Sequence, residues 1–342
     1  MKKTSKFICL MLALALICGC LAGCGKEPVA PATSDTPDVT ESQTPAVPTV
    51  RVNLGTATSG SLFYSAGIAA TQLWVEKFGI NASATASSGS KENLQMLKNG
   101  ELNMGFLQSD VLINSYNGLA EFEGDAYEDL RILAPVTTNP YHLLVRSGSG
   151  IEKITDVVGK NVVVGSAGGG TYNQHRAVLG AFGITFDDIN ESNIGQAESI
   201  EAMRNGLCDF TIAVGMYPFG VVVDALTSDN IGLLSLTQDD VDKILAANDW
   251  QSAVTIPAGT YEGQDEDYLT IAHNGYICVS ADFPEEDAYL LTKCLYENTD
   301  WLINAFNSFD SWALHNPVAA AEATGVPFHP GAQRALEELG CK

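Results

Sequence analysis

The chain says the same thing twice. VNLGTATSGSLFY, starting at Val52, opens a run that closes on Phe78-Gly79-Ile80, and VVVGSAGGGTY, starting at Val162, opens one that closes on Phe182-Gly183-Ile184. A second echo follows each copy at nearly the same spacing: LQMLKNGELNMGF from Leu94 and IEAMRNGLCDFTI from Ile200. Each copy reads as a strand, a Gly/Ser/Thr loop and then a helix, followed by further strand and helix patterns. Two similar α/β units of this kind predict two lobes facing each other across a cleft.

The N-terminus is a separate matter. Lys2, Lys3 and Lys6 precede an uncharged apolar run from Phe7 to Gly23, the pattern of a bacterial export signal over residues 1–23. Leu21-Ala22-Gly23-Cys24 resembles a lipobox, which predicts lipidation of Cys24 and attachment to a membrane surface outside the cytoplasm, at the cell surface or in the periplasm. Residues 24–50, rich in Pro, Thr, Ser and Ala, read as a disordered tether, and folding is expected to begin near Val52.

Strand and helix patterns then alternate. Val52–Leu54, Asn81–Ala86 and Met104–Leu107 read as strands, with helices at Ser65–Phe78, Lys91–Leu97 and Asp110–Tyr116. The second unit repeats this with strands at Asn161–Val164 and Phe210–Val214 and helices at Thr171–Phe182 and Tyr217–Leu226. HLLVR (His142–Arg146) and YICV (Tyr276–Val279) are two segments that would carry the chain out of the first lobe and back. The expected division is 51–146 with 276–342 as lobe I and 147–275 as lobe II. Pro284–Glu297 reads as a helix with Pro in its first turn.

Open α/β sheets bind ligands at the carboxyl ends of their strands, where loops run into helix N-termini. Both repeated loops lie there. Thr56, Thr58, Ser59, Gly60 and Ser61 in the first, and Ser166, Gly168, Gly169, Gly170 and Thr171 in the second, offer hydroxyls and open backbone N–H groups suited to a small anion. Tyr64 and Tyr172 follow the loops at similar distances, each able to stack on a ligand or to fill space beneath the loop. Gln108 and Asp110 end one strand, and Gly215 and Tyr217 end its counterpart, so all four should face the cleft.

Other chemistries fit less well. Without Lys2, Lys3 and Lys6 the net charge moves from −23 to about −26, which repels nucleic acid. There is no G-x-x-x-x-G-K-[ST], and Gly165–Asn173 does not fit G-x-G-x-x-G. The five histidines form no H-E-x-x-H pair, no G-x-S-x-G elbow is present, and no cluster has metal-ligand spacing. No cofactor or metal is expected, nor is enzyme activity. Cys208, Cys278, Cys294 and Cys341 show no compact disulfide framework, and buried free thiols are the preferred reading.

GTATSGSLFYSAG, SSGSKENLQMLKNGELNMGFLQSD, GIEKITDVVGKNVVVGSAGGGT, IPAGTYEGQ and PFHPGAQRALEELG, in this order, resemble segments of the TAXI-type solute-binding proteins of TRAP transporters, over about Val52–Gly340. The resemblance implies an α/β, type II-like periplasmic-binding-protein fold: two lobes, a hinge and an interlobe ligand cleft. It also implies a monomeric receptor that captures a small organic anion of the glutamate, 2-oxoglutarate or dicarboxylate kind and passes it to an ion-driven TRAP-type membrane permease. Carried over by motif, the ligand shell comprises Thr58, Ser59, Tyr64, Ser90, Asn93, Gln108, Ser166, Gly170, Thr171 and Gly215. Ala57 stands where the family's first loop usually has Gly, and Phe63 where Tyr is common, departures that bear on the ligand more than on the fold. No Arg lies in either loop, and Arg176 is the nearest. A sensor subunit for a membrane receptor and a cleft enzyme are the other uses this fold allows.

Overall fold

Ten strands form the framework of the computed structural model, which describes residues 46–59, 61–167 and 170–341. The predicted export segment, Cys24 and nearly all of the tether lie outside the described residues, as do Gly60, Gly168 and Gly169. Among the described residues no helix is long and apolar enough to cross a membrane.

The first repeat unit supplies β1 (Val52–Gly55), α1 (Leu62–Phe78), β2 (Ala82–Thr85), α2 (Ser90–Lys98), β3 (Met104–Gln108) and α3 (Ser109–Asn117). A 17-residue strand, β4 (Leu130–Arg146), then leads to the second unit. That unit contains β5 (Asn161–Val163), α4 (Gly170–Gly180), β6 (Asn190–Ser192), α5 (Gln196–Arg204), β7 (Phe210–Val214) and α6 (Gly220–Leu226). Next come β8 (Ile231–Leu233), α7 (Gln238–Ala247), β9 (Ser252–Ile256) and a second long strand, β10 (Tyr268–Ser280). Helices α8 (Glu285–Glu297), α9 (Thr299–Ala305), α10 (Trp312–His315), α11 (Pro317–Glu322) and α12 (Pro330–Leu339) close the chain.

The sequence repeat reappears as topology. In the first unit β2, β1 and β3 run parallel in that order and β3 pairs antiparallel with β10. In the second, β6, β5 and β7 run parallel in that order and β7 pairs antiparallel with β4. The Asn-Gly echoes are structural equivalents too. Gly100 and Gly206 follow α2 and α5 with φ of 71° and 75°, a left-handed turn that a side chain would strain. Each unit has its own core. Val52, Leu54, Leu73, Trp74, Met104 and Phe106 are fully buried in the first, and Val164, Val178, Leu179, Phe210 and Ile212 in the second.

β4 and β10 join the lobes. Leu130–Pro140 of β4 pairs antiparallel with Ala272–Ser280 of β10, while Tyr141–Val145 turns to β7 and Tyr268–Ala272 to β9. The crossing segments are therefore longer than HLLVR and YICV. The helix expected from Tyr217 starts only at Gly220, because Phe219 is still extended and its N–H donates to Tyr261 Oη at 3.0 Å.

α8 and α12 pack on the first lobe, where Trp74 Nε1 of α1 donates to the Leu291 carbonyl at 3.1 Å. Just before β1, Thr49 donates from its backbone N and its Oγ1 to the two carboxylate oxygens of Asp287 in α8, at 2.7 and 2.9 Å. Cys208, Cys278, Cys294 and the half-buried Cys341 carry free thiols.

Gly275 in β10 lies where Phe63 and Thr137 leave no room: a Cβ there would sit 2.5 Å from Thr137 Oγ1 and 2.8 Å from the Phe63 ring. Gly275→Ala is expected to lower stability by about 1–3 kcal/mol, as overpacking does, read as a lower urea midpoint; an unchanged midpoint would show that the two rows of side chains have slack.

Candidate functional site

Each repeated loop leaves a parallel strand and enters a helix, so its geometry follows from what holds the strand end. After β1, Thr56 is fully buried, and its N–H and Oγ1 both donate to the Thr85 carbonyl, at 2.9 and 2.8 Å. Beneath it Asn93, also fully buried, donates from Nδ2 to Thr56 O at 2.6 Å and Phe106 O at 2.9 Å. Its amide thus pins the first loop to β3, and Gly55 is bare because a Cβ there would meet Asn93 Oδ1 at 2.6 Å. Thr58 and Ser59 ride exposed on this support, and Ser61 caps α1 by accepting from the Tyr64 N–H at 3.3 Å. Tyr64 is half-buried in the first turn.

The second strand end in this lobe is tied similarly. Ser90 Oγ accepts from the Gln108 N–H at 3.0 Å. Ser109 Oγ donates to Asn274 O at 3.1 Å and accepts from Asn274 N at 2.9 Å, which fixes the start of α3 against β10. Gln108, the residue before α3, makes no side-chain cap bond to it.

In the second lobe, β5 ends at Val163, and Ser166 lies exposed before α4. Thr171 is half-buried; its Oγ1 accepts from Gln196 Nε2 at 3.4 Å. His175 bridges helix and sheet, its Nε2 accepting from the Ile212 N–H at 2.8 Å while Nδ1 donates to Thr171 O at 2.9 Å. Tyr172 packs edge-on against Phe186, ring centroids 4.9 Å apart, and so fills space beneath the loop. Gly215 is buried with its N–H on Pro140 O at 3.2 Å, and a Cβ would strike the Phe219 ring at 2.9 Å.

The two walls meet at Gly170 and Gln108. A Cβ on Gly170 would stand 3.5 Å from Gln108 Nε2 and 3.9 Å from Gln174 Nε2, so the N-terminus of α4 looks across at the end of β3. Nearby, Lys91 pairs with Glu121 at 2.5 Å. Burial acts to raise the Glu121 pKa, yet the Lys91 hydrogen bond and charge, with Arg176 adding from the second lobe, hold it below the usual range. Of the residues carried over by motif, Gln108 and Gly170 approach each other, Thr58, Ser59 and Ser166 are exposed, and Asn93 and Gly215 are buried beneath the loops. Two surface grooves of about 380 and 360 Å³, one beside Lys77 and α8 and one beside Phe328 and α12, touch neither loop.

The floor of the cleft is polar and draws on residues the motifs did not single out. Tyr141, Asn139, His273, Gln174 and Gln251 are all buried and joined side chain to side chain beside Gln108 and Gly170, from β4, β10, α4 and the residue before β9. Their signal in the sequence is the polar interruption of apolar strand patterns, TTNPYH in one and AHNGY in the other.

A family model described as the NMT1-like family matches residues 54–340. The chain belongs to the NMT1-like family. This member has the two-lobe fold of periplasmic binding proteins. It is similar to the sulfonate-binding protein SsuA of a sulfonate ABC transporter from Methylobacillus flagellatus KT, at TM-score 0.53 and 15% identity over 87% of this chain and 97% of that one. It is likewise similar to MatC from Rhodopseudomonas palustris with bound malate, at TM-score 0.52 and 12% identity over 85% and 96%.

Three histidines of this NMT1-like chain are buried and neutral. Burial pulls His142 and His175 down from 6.5 to about 4 and His273 to about 3. The unfolded chain regains ordinary imidazoles, so between pH about 6.5 and about 4 unfolding takes up protons that the fold excludes, and stability falls as pH falls. At about 1.4 kcal/mol for each tenfold change in proton affinity, each of these rings costs the fold on the order of 3 kcal/mol once pH has fallen to about 4, and nothing at neutral pH, where it is neutral in both states. The raised pKa of Asp110 works in the opposite sense, its cost setting in as pH rises above the ordinary Asp value. Urea unfolding is expected to show a loss of several kcal/mol between pH 7 and pH 5; a flat profile would mean that these rings are hydrated.

Proposed function

We propose that this protein is an extracytoplasmic solute-binding lipoprotein that captures a small organic anion by closure of its two lobes and delivers it to a TRAP-type permease. The observation that carries the reading is the approach of Gly170 to Gln108, which sets the N-terminus of α4 against the loops of the first lobe. Helix N-termini present N–H groups and partial positive charge, and so favour an anion even inside a chain whose net charge is strongly negative. Thr58, Ser59, Tyr64, Gln108, Ser166, Gly170 and Thr171 are the residues offered for contact; Ser90, Asn93 and Gly215 hold them in place.

Contacts from both lobes form together only when the cleft is shut, so the solute shifts the population toward the closed form, which a permease can distinguish. The family motifs support a TRAP-type partner and a dicarboxylate-like solute, and the Leu21–Cys24 tetrapeptide supports a lipid anchor at Cys24. The role is binding rather than catalysis, so solute recovered after incubation should be chemically intact.

A thermal-shift screen of protein stripped of solute, against dicarboxylates, amino acids, sulfonates and sugars, tests the reading. A ligand specific to the fold should add about 2.7 kcal/mol of apparent stability at a hundredfold excess over its Kd. A response to sugars alone would overturn the anion reading.

Tyr64→Ala and Gly170→Val should each weaken binding by tenfold or more in calorimetry while leaving the urea midpoint nearly unchanged, the first by removing a cleft surface and the second by crowding Gln108. Unaltered affinity in both variants would move the site elsewhere.

A further inference from the structure

The block IPAGTYEGQ, Ile256–Gln264, supplies none of the loop or floor residues, yet it is laced to itself along the connection from β9 to β10. Gln264 Nε2 donates to the Pro257 and Glu266 carbonyls at 3.1 and 3.0 Å, and its Oε1 accepts from the Tyr261 N–H at 3.2 Å. Gly259 N–H donates to the Gln264 carbonyl at 2.8 Å, and Ala258 N–H to Asp267 Oδ1 at 2.9 Å. The one aromatic side chain of the block, Tyr261, is buried within the second lobe at 4% exposure.

The Tyr261 hydroxyl ties the turn after β7 to β4, and the direction of each bond is forced. Phe219 N–H donates to it at 3.0 Å. On its other side, 2.7 Å away, is Nε2 of His142 in β4, whose Nδ1 lies 3.3 Å from the Ala213 carbonyl of β7. A carbonyl only accepts, so the single N–H of the neutral ring sits on Nδ1 and Nε2 accepts from Tyr261. The His142 ring is itself held, edge-on to Tyr261 at 5.5 Å and parallel to Tyr268 at 6.3 Å between centroids.

What this hydroxyl holds is the exit from β7. A Cβ on Gly215 would come within 2.9 Å of the Phe219 ring, and Gly215 N–H donates to Pro140 O at 3.2 Å, between Asn139 and Tyr141 of the floor. Because β7 runs parallel to β5, Gly215 leaves the sheet at the same end as Ser166 and the start of α4. Without Tyr261 Oη, the Phe219 N–H and His142 Nε2 would both lose their partner, and the turn relieves that cost by moving.

We propose that Tyr261 is a positioning residue of the solute site: it touches no solute, and it fixes the Gly215–Phe219 turn of the second lobe against the crossing strand β4. This rests on the anion-binding reading and deepens it, because it makes a loop outside the cleft a determinant of the affinity inside it.

Tyr261→Phe removes one oxygen and keeps the ring. In this variant amide hydrogen exchange at Gly215 and Phe219 should quicken by about tenfold or more. Calorimetry on stripped protein, with L-glutamate, 2-oxoglutarate, succinate and ethanesulfonate as probes, should show the tightest of them weakened by about tenfold. His142→Gln, whose amide oxygen accepts from the hydroxyl, should stay within about threefold of the unaltered affinity, whereas His142→Leu should lose as much as Tyr261→Phe. This pair carries the test if Tyr261→Phe fails to fold. Ile244→Ala opens a cavity in the other core cluster of the second lobe and should lower the urea midpoint while leaving affinity within about twofold, which separates positioning from loss of stability. Unchanged exchange in Tyr261→Phe, faster exchange with unaltered affinity, or an equal loss of affinity in Ile244→Ala overturns the positioning role and leaves the anion reading standing. Binding of none of the four acids by the unaltered protein overturns both.

Discussion

The antiparallel ladder between β4 and β10 is the contact on which the other arrangements rest. Its register runs from Leu130 opposite Ser280 to Pro140 opposite Ala272, and at its far end the two strands part to pair with β7 and β9. Backbone hydrogen bonds in a buried ladder are costly to break singly, so the lobes are joined by a strip that resists slipping along its length. Both strands are buried almost throughout, which lets their side chains form the floor of the space between the lobes. The position of each repeated loop is then a matter of how its own parallel sheet attaches to one edge of this strip.

That attachment is where the repeat matters. The first lobe adds β3, β1 and β2 to β10, and the second adds β7, β5 and β6 to β4. Because each loop follows the inner strand of a three-stranded parallel set, its backbone is tied to its neighbours, to Thr85 and Asn93 in one case and to Ser192 in the other, whose carbonyl accepts from the Val164 N–H at 3.0 Å. Exposed hydroxyls on a rigid base lose little entropy on binding.

The doubled VNLG and VVVG segments were enough to read two α/β lobes, since alternating strand and helix patterns with matched turns leave few other packings. The strand assignments at Val52, Met104 and Phe210 follow from local apolar pattern and hold to within a residue or two. Motif likeness does not distinguish a side chain that lines a cleft from one that braces it: Asn93 sits in a family block, yet its amide nitrogen is taken up by the Thr56 and Phe106 carbonyls. The floor was illegible for a different reason. His273, Gln174 and Gln251 come from segments about a hundred residues or less apart, and a polar residue within an apolar strand pattern has no partner in view until the strands cross. Tyr172 and Tyr64 look equivalent because their spacing is alike, but among the described residues only Tyr172 has an aromatic neighbour, Phe186, to pack against.

Thr49 is a small detail with a mechanical meaning. Its two hydrogen bonds to Asp287 fasten the start of the folded chain to α8, an element of the first lobe. A load arriving along the preceding residues would thus be borne by that lobe and would reach the second only through the crossing strands. The first lobe is in this sense the stator, and a displacement of the second would leave Thr49 where it is.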